Sequence, residues 1–166
     1  LLTSNAYLHS LKISILAVIL IVGIGIPVSL ALAILANQVV PGIRFFQVAF
    51  IWPYAMAFAV VGAIWALLSD PMIGGLTYLI SPLIGFELNW MENETLALML
   101  VCGAITWKNI GYNVIFLLAA LQIIPEDIFE ASALDGANAF RRFWNITVPH
   151  ISSVIFFLLV MNFTYV

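Results

Sequence analysis

Four apolar runs, at 13–36, 45–68, 96–121 and 151–166, alternate with polar connections along this chain. The first three reach the roughly 20 residues that a helix needs to cross a bilayer core about 30 Å thick, and the fourth is still apolar at the last residue. None shows the two-residue alternation of a barrel strand. Inside hydrocarbon the backbone must satisfy its own hydrogen bonds, and runs of this length do so as helices. The expectation is an all-α, polytopic transmembrane bundle, with residues 1–166 forming part of one membrane domain whose flanking segments lie outside this sequence. Leu1 to Ser10 lack the basic and apolar pattern of a cleavable signal.

The connections divide by charge. Arg44 lies in 37–44 and Arg141 and Arg142 lie in 122–149, whereas 69–95 carries no Lys or Arg but holds Asp70, Glu87, Glu92 and Glu94. Since basic residues mark the cytoplasmic side, the first and third loops are expected inside, and the acidic loop and Lys12 outside. In the acidic loop, Pro71, Gly74, Gly75, Ser81, Pro82 and Gly85 are turn formers around a short helix at Leu76 to Ile80. With 64% hydrophobic and 8% charged residues, the composition leaves the bilayer as the solvent. No basic patch for nucleic acid, no phosphate loop and no nucleophile and base set occurs, so neither nucleic-acid binding nor enzymatic activity is expected. Cys102 reads as packing, and His9 and His150 fall at opposite ends, so no metal or other cofactor is expected.

Within the spans, Gly23, Gly25 and Pro27 suit close helix packing and a kink. Trp52-Pro53-Tyr54 suits a bend in the second run. Lys108 falls near the middle of the third, where insertion costs about 2.5–3.5 kcal/mol and no acidic side chain of this sequence lies at that depth. Lys108, Tyr112 and, one step along, Asn109 share one helix face with Asn113 beside them, and a polar face in mid-membrane reads as a water-filled path. Trp107, Lys108, Tyr112 and Asn113, with Asn162 from the fourth run, therefore form the candidate solute path. The charge of Lys108 points to water, an absent segment or subunit, or an anionic solute as its partner. Snorkelling of Lys108 and a plain interhelical hydrogen bond at Asn162 are the structural alternatives.

The third loop, 122–149, interrupts the lipid-like pattern with a short helix from Pro125 to Gly136. Pro125 sits in its first turn, Glu126 and Asp127 lie at the positive end of its dipole, and Gly136 permits a left-handed cap. Asn138 then caps a second short helix through Asn145, with Phe140, Phe143 and Trp144 on one side and Arg141 and Arg142 toward the headgroups. Pro149 opens the last span. Such a unit either lies on lipid as an amphipathic hairpin or meets a partner.

Glu130-Ala131-Ser132, three residues, Gly136, nine residues and Ile146-Thr147-Val148-Pro149 resemble the Glu-Ala-Ala, Gly and Ile-x-Leu-Pro signature of the membrane subunits of binding-protein-dependent ABC importers. Ser132 and Val148 are its small departures. The stretches 119–125 and 134–137 are similar to the carbohydrate-importer branch, and 141–143 with 156–162 to its glycerol-3-phosphate permeases. The resemblance implies a six-span permease subunit in a bacterial inner membrane, holding here its second to fourth spans and the start of the fifth. It also implies a second homologous permease subunit, two cytoplasmic ATPases and an external solute-binding protein. Glu130, Ala131, Ser132, Asp135, Gly136, Ile146 and Pro149 would then form the ATPase-coupling loop. A permease for a neutral sugar of the same branch and a secondary transporter subunit are the other transport readings.

Overall fold

A computed structural model describes residues 5–37, 48–49, 52–84, 90 and 92–165. Arg44, the start of the second apolar run, Gly85, Glu87 and Val166 lie outside the described residues. The elements are α1 (Asn5–Asn37), α2 (Phe58–Leu68), α3 (Gly75–Ile84), α4 (Glu94–Gln122), α5 (Glu126–Leu134), α6 (Ala139–Arg142), a π-helical turn (Phe143–Thr147) and α7 (Val148–Tyr165). Among the described residues three helical stretches are long and apolar enough to cross a bilayer: Tyr7–Asn37, Glu94–Gln122 and Ala139–Thr164. The eleven residues of α2 extend only about 17 Å at 1.5 Å per residue, short of the hydrocarbon thickness.

The helix α4 is the centre of the bundle. Half of its span is buried, against 22% for each of the other two. Leu117 of α4, Ala33 of α1, and Ile151 and Leu158 of α7 are fully enclosed, with Ile26, Val114, Leu118 and Leu121 around them. Small residues bring α1 close to α4: Gly25 faces the Thr106 methyl, while Ser29 is fully buried and turns its hydroxyl back onto Gly25 O at 2.6 Å. Gly23, by contrast, has open space where its side chain would be. It lies on a shallow groove with Ile19, Leu159 and Phe163. The helix α1 continues through Pro27. Ile19, Ile24, Leu35, Phe156 and Phe163 point away from the core. Such a surface suits hydrocarbon and would be an aggregation hazard in water.

The polar connection before α4 is a folded cover. Asp70 Oδ1 accepts from the N–H groups of Met72 and Ile73, and Gly74 N–H donates to Asp70 O at 2.9 Å. A side chain on Gly74 would strike the carbonyls of Leu68 and Asp70, so this turn requires glycine. Thr77 donates to Ser69 O at 3.1 Å and accepts from Trp90 Nε1 at 3.0 Å, tying α3 to the ends of the loop. The short helix expected at 76–80 extends from Gly75 to Ile84 and contains Pro82. Asn93 caps α4 by accepting from Thr95 N–H and Leu96 N–H, with Glu94 in the first turn. Glu94 also meets His9 of α1 at 2.8 Å on the exposed rim of the bundle.

Candidate functional site

Polar side chains of α4 divide between two neighbours. Lys108 and Tyr112, four residues apart, face the second apolar run, and Asn109 and Asn113, also four apart, face α7. The expected single polar face is thus two faces, each packed against protein.

On the first face the second run breaks. Residues 52–55 are helical, Met56 and Ala57 are not, and α2 begins at Phe58 with Ala57 as an extended cap that offers no side-chain hydrogen bond. The bend foreseen at Trp52-Pro53-Tyr54 is therefore a full interruption, centred just after it. A break at membrane depth strands carbonyls that have no water to meet. Lys108 Nζ donates to Tyr54 O at 2.8 Å and to Met56 O at 2.7 Å. Its ammonium also lies 4.6 Å from the ring centre of Phe58 and 5.1 Å from that of Tyr54, within cation–π range. Lys108 is only 4% exposed. The expectation that this sequence supplies no partner for it is corrected, because the partners are main-chain oxygens rather than acidic side chains. Tyr112 stacks on Tyr54 at 5.2 Å, and Trp107 sits edge-on to Trp65 of α2 at 6.2 Å.

On the second face Asn162 of α7 joins both asparagines. It accepts from Asn109 Nδ2 at 3.3 Å, and its own amide donates to Asn113 Oδ1 at 2.9 Å and to Leu158 O at 2.8 Å. Asn113 is fully buried and its Nδ2 has no hydrogen-bond partner among the described residues. The interhelical alternative for Asn162 is what the geometry contains.

The loop 122–149 projects from the end of the bundle where α1 and α4 finish. Pro125 is the extended cap residue of α5 rather than a member of its first turn, which holds Glu126 and Asp127. At the other end Ala137 N–H donates to Ser132 O at 3.0 Å and Gly136 N–H to Ala133 O at 3.1 Å, with Gly136 at φ +76°. This pairing satisfies the last carbonyls through a left-handed residue, which glycine adopts without strain. Glu130, Ala131, Asp135 and Gly136 are exposed, and Ser132 is half-buried with its hydroxyl on Phe129 O at 2.8 Å.

Asn138 caps α6 by accepting from Arg141 N–H at 2.8 Å. The second short helix does not stop at Asn145, however, and Pro149 does not open a separate span. From Ala139 the helix continues through the π turn, in which Val148 N–H reaches back to Phe143 O, and into α7. Pro149 has no N–H for the carbonyl four residues earlier, and the widened turn before it absorbs that mismatch. Ile146 and Thr147 lie in this turn. Ile146 O is met by His150 Nδ1 at 2.7 Å. Arg141 is exposed as expected. Arg142 instead turns inward: its Nε is buried with no partner among the described residues, and it lines a cavity of about 520 Å³ with Ile34, Asn37, Leu121, Phe129 and Thr147.

Sequence reasoning missed the Tyr54 and Met56 carbonyls because main-chain acceptors carry no residue signature. Asn109 was signalled by its four-residue spacing from Asn113. Among the described residues no group of His, Cys, Asp and Glu is placed to hold a metal.

A core of apolar helices with exposed hydrocarbon-compatible surface, capped at one end by a helix and glycine turn outside the core, defines a polytopic helical membrane protein. The chain belongs to the family of binding-protein-dependent transport system inner membrane components, whose profile matches residues 7–166. It is 45% identical over 159 residues to the sn-glycerol-3-phosphate transport system permease protein UgpA of Yersinia pestis bv. Antiqua (strain Antiqua), covering 96% of this chain and 54% of that one. The protein of the same description from Rhizobium meliloti (strain 1021) is 40% identical over the same shares. The chain thus spans about half the length of the curated relatives it matches. In fold it is similar to a chain of a bacterial alginate ABC transporter solved in complex with an alginate pentasaccharide-bound periplasmic protein. There the TM-score is 0.85 at 22% identity, covering 98% of this chain and 57% of that one.

Proposed function

We propose that this chain is part of the membrane-spanning permease subunit of an ATP-driven, binding-protein-dependent importer, and that the solute is glycerol-3-phosphate or a related sugar. The observation that carries the reading is the 45% identity to a glycerol-3-phosphate permease along nearly the whole chain. The subunit works in a bacterial inner membrane with a second homologous permease subunit, two cytoplasmic ATPases and an external solute-binding protein. Residues 1–166 form part of one membrane domain of this subunit, with 122–149 as its cytoplasmic coupling loop.

In this reading α5 is the docking element. Glu130, Ala131 and Asp135 offer an exposed helical face to a groove on the ATPase, and Gly136 returns the chain toward the membrane. Ile146 and Pro149 lie on the continuous helix from Ala139, so a displacement of α5 is passed directly into α7. Trp107, Lys108, Tyr112, Asn113 and Asn162 lie along or beside the solute path, their order fixed by the two packed faces of α4. The chain has no phosphate-binding glycine loop and supplies the path rather than the hydrolysis.

Transport of a neutral sugar is the second reading, favoured by one observation: Lys108 already has two carbonyl partners, so its charge demands no anionic solute. The deciding experiment is uptake of labelled glycerol-3-phosphate into proteoliposomes holding the full-length parent and its partner subunits. Saturable uptake that requires ATP and is competed by phosphorylated glycerols is expected. ATP-dependent uptake of a neutral sugar alone would select the second reading, and uptake indifferent to ATP would overturn both.

A further inference from the structure

The residue least explained by a solute path is Lys108. Its ammonium spends two hydrogen bonds on Tyr54 O and Met56 O, the carbonyls on either side of Ala55 where the second run loses its helical pairing. Two aromatic rings, of Tyr54 and Phe58, close over the same charge. Beside it, between α2 and α4, lies a cavity of about 290 Å³ whose other walls are apolar, among them Val61, Gly62, Trp65, Ala104 and Ile105. Among its lining side chains only Lys108 carries a charge. The contacts of the second run with α4 continue on both sides of the break, through Trp65 against Trp107 and Tyr54 against Tyr112.

We propose that Lys108 is a tethered internal cation, a positioning residue that holds the helix break at 56–57 open and locks residues 54–68 to α4 as one moving body. The lysine stem brings the charge from the neighbouring helix into a cage of two carbonyls and two rings, the arrangement that a free cation would need in order to stabilise an interrupted helix in lipid. With the ammonium in place the freed carbonyls are satisfied and the break persists. Without it they are orphaned at a depth where water is scarce. On the importer reading above, in which the subunit changes shape during transport, the second run and α4 then move together and the relative motion falls elsewhere.

The test uses the full-length parent with its partner subunits, with Cys102→Ala and any cysteine outside residues 1–166 or in the partners likewise replaced, so that an introduced thiol reacts alone. Lys108→Cys removes the ammonium, and a methanethiosulfonate bearing an ethylammonium restores one at nearly the lysine's reach. A neutral ethyl reagent of the same class is the control. The expected result is a lowered unfolding midpoint in detergent and a maximal uptake rate reduced at least about tenfold, with the solute KM changed less than about twofold and both losses reversed by the charged reagent only. Equal recovery with the neutral reagent, or a raised KM at unchanged maximal rate, would overturn the proposal. The midpoint needs no transport, so a failure of the importer reading is told apart from a failure of this one. Should Lys108→Cys not reach the membrane, Gly62→Cys with Ala104→Cys, both in the Cys102→Ala background, is bridged across the cavity by a short bifunctional thiol reagent. Retained uptake after bridging supports the locked unit, and loss of uptake refutes it.

Discussion

The middle of α4 and the α5–α6 turn both carry polar chemistry, and they treat it in opposite ways. In the bundle, Lys108, Asn109, Asn113 and Asn162 are buried and bond inside the protein, Lys108 to main-chain carbonyls of the second run and the asparagines to one another across α4 and α7, with Asn113 Nδ2 alone of their amide groups left unpaired among the described residues. At the turn the hydrogen bonds close locally, through the Gly136 cap and the Asn138 cap, and the side chains are left outward: Leu134 is 90% exposed and Phe140 72%. Lipid enforces the first arrangement, since an unpaired donor or acceptor there has no water to turn to. The second is what a docking surface requires, a backbone made rigid by itself and apolar side chains left for a partner. Internal satisfaction therefore marks structure in one region, and in the other the outward remainder is what supports the docking role proposed for it.

The change with the largest expected effect breaks the turn alone. Gly136 holds φ +76°, whereas proline is confined near −65°, so Gly136→Pro removes both the left-handed cap and the N–H that donates to Ala133 O. ATP-dependent uptake is expected to fall to background while the subunit stays in the membrane at its usual level, because no core helix depends on that cap. Normal uptake by the mutant would end the coupling role of α5. Next comes the opposite region. Asn162→Leu leaves Asn109 without an acceptor and Asn113 without a donor, at a contact between α4 and α7. A loss of about 1–2 kcal/mol in unfolding free energy in mixed micelles is expected, in the range of membrane interhelical hydrogen bonds. A double-mutant cycle with Asn113→Leu should recover a coupling of about 0.5 kcal/mol or more; strict additivity would mean that the two amides do not interact.

How far each region was legible in the sequence follows the same division. The turn could be read almost residue by residue, since Gly136 and Asn138 are caps whose geometry is decided within a few positions of the chain. Where it failed, at Pro149, a local rule competed with a tertiary one: proline suits a first helical turn, yet α7 packs well enough for a π turn to carry the helix past it. In the bundle the apolar runs located α1, α4 and most of α7, because hydrocarbon leaves the backbone few choices. The interruption at 56–57 was visible only as a proline three positions earlier. That Lys108 of a distant helix fills it could not be read, since the acceptors are carbonyls that every residue possesses. The polar face likewise looked single because helical periodicity tells which residues are neighbours and not which helix each one meets.

Two smaller effects sharpen the contrast. Asn93→Ala removes the side-chain acceptor for Thr95 N–H and Leu96 N–H at the start of α4. It is expected to lower the unfolding free energy by about 1 kcal/mol, with Asn93→Asp restoring it, as measured by denaturation in micelles. An unchanged midpoint would place the anchoring of α4 in the Thr77 and Trp90 contacts instead.

The smallest effect is expected where the sequence pattern suggested the tightest packing. A methyl at Gly25 would sit 3.5 Å from the Thr106 methyl carbon, an ordinary contact, and one at Gly23 would meet nothing. Small residues let membrane helices approach, but the closeness of α1 and α4 rests also on Ser29 and Ala33, both fully buried. Replacing glycine by alanine in a helix also removes backbone freedom, worth up to about 1 kcal/mol in water and less in a bilayer, where the unfolded reference is itself helical. Gly25→Ala should therefore shift the unfolding free energy by no more than about 0.5 kcal/mol in either direction. A loss above about 1 kcal/mol would show that α1 and α4 approach more closely at Gly25 than this contact allows, and that Gly25 rather than Ser29 and Ala33 sets their spacing.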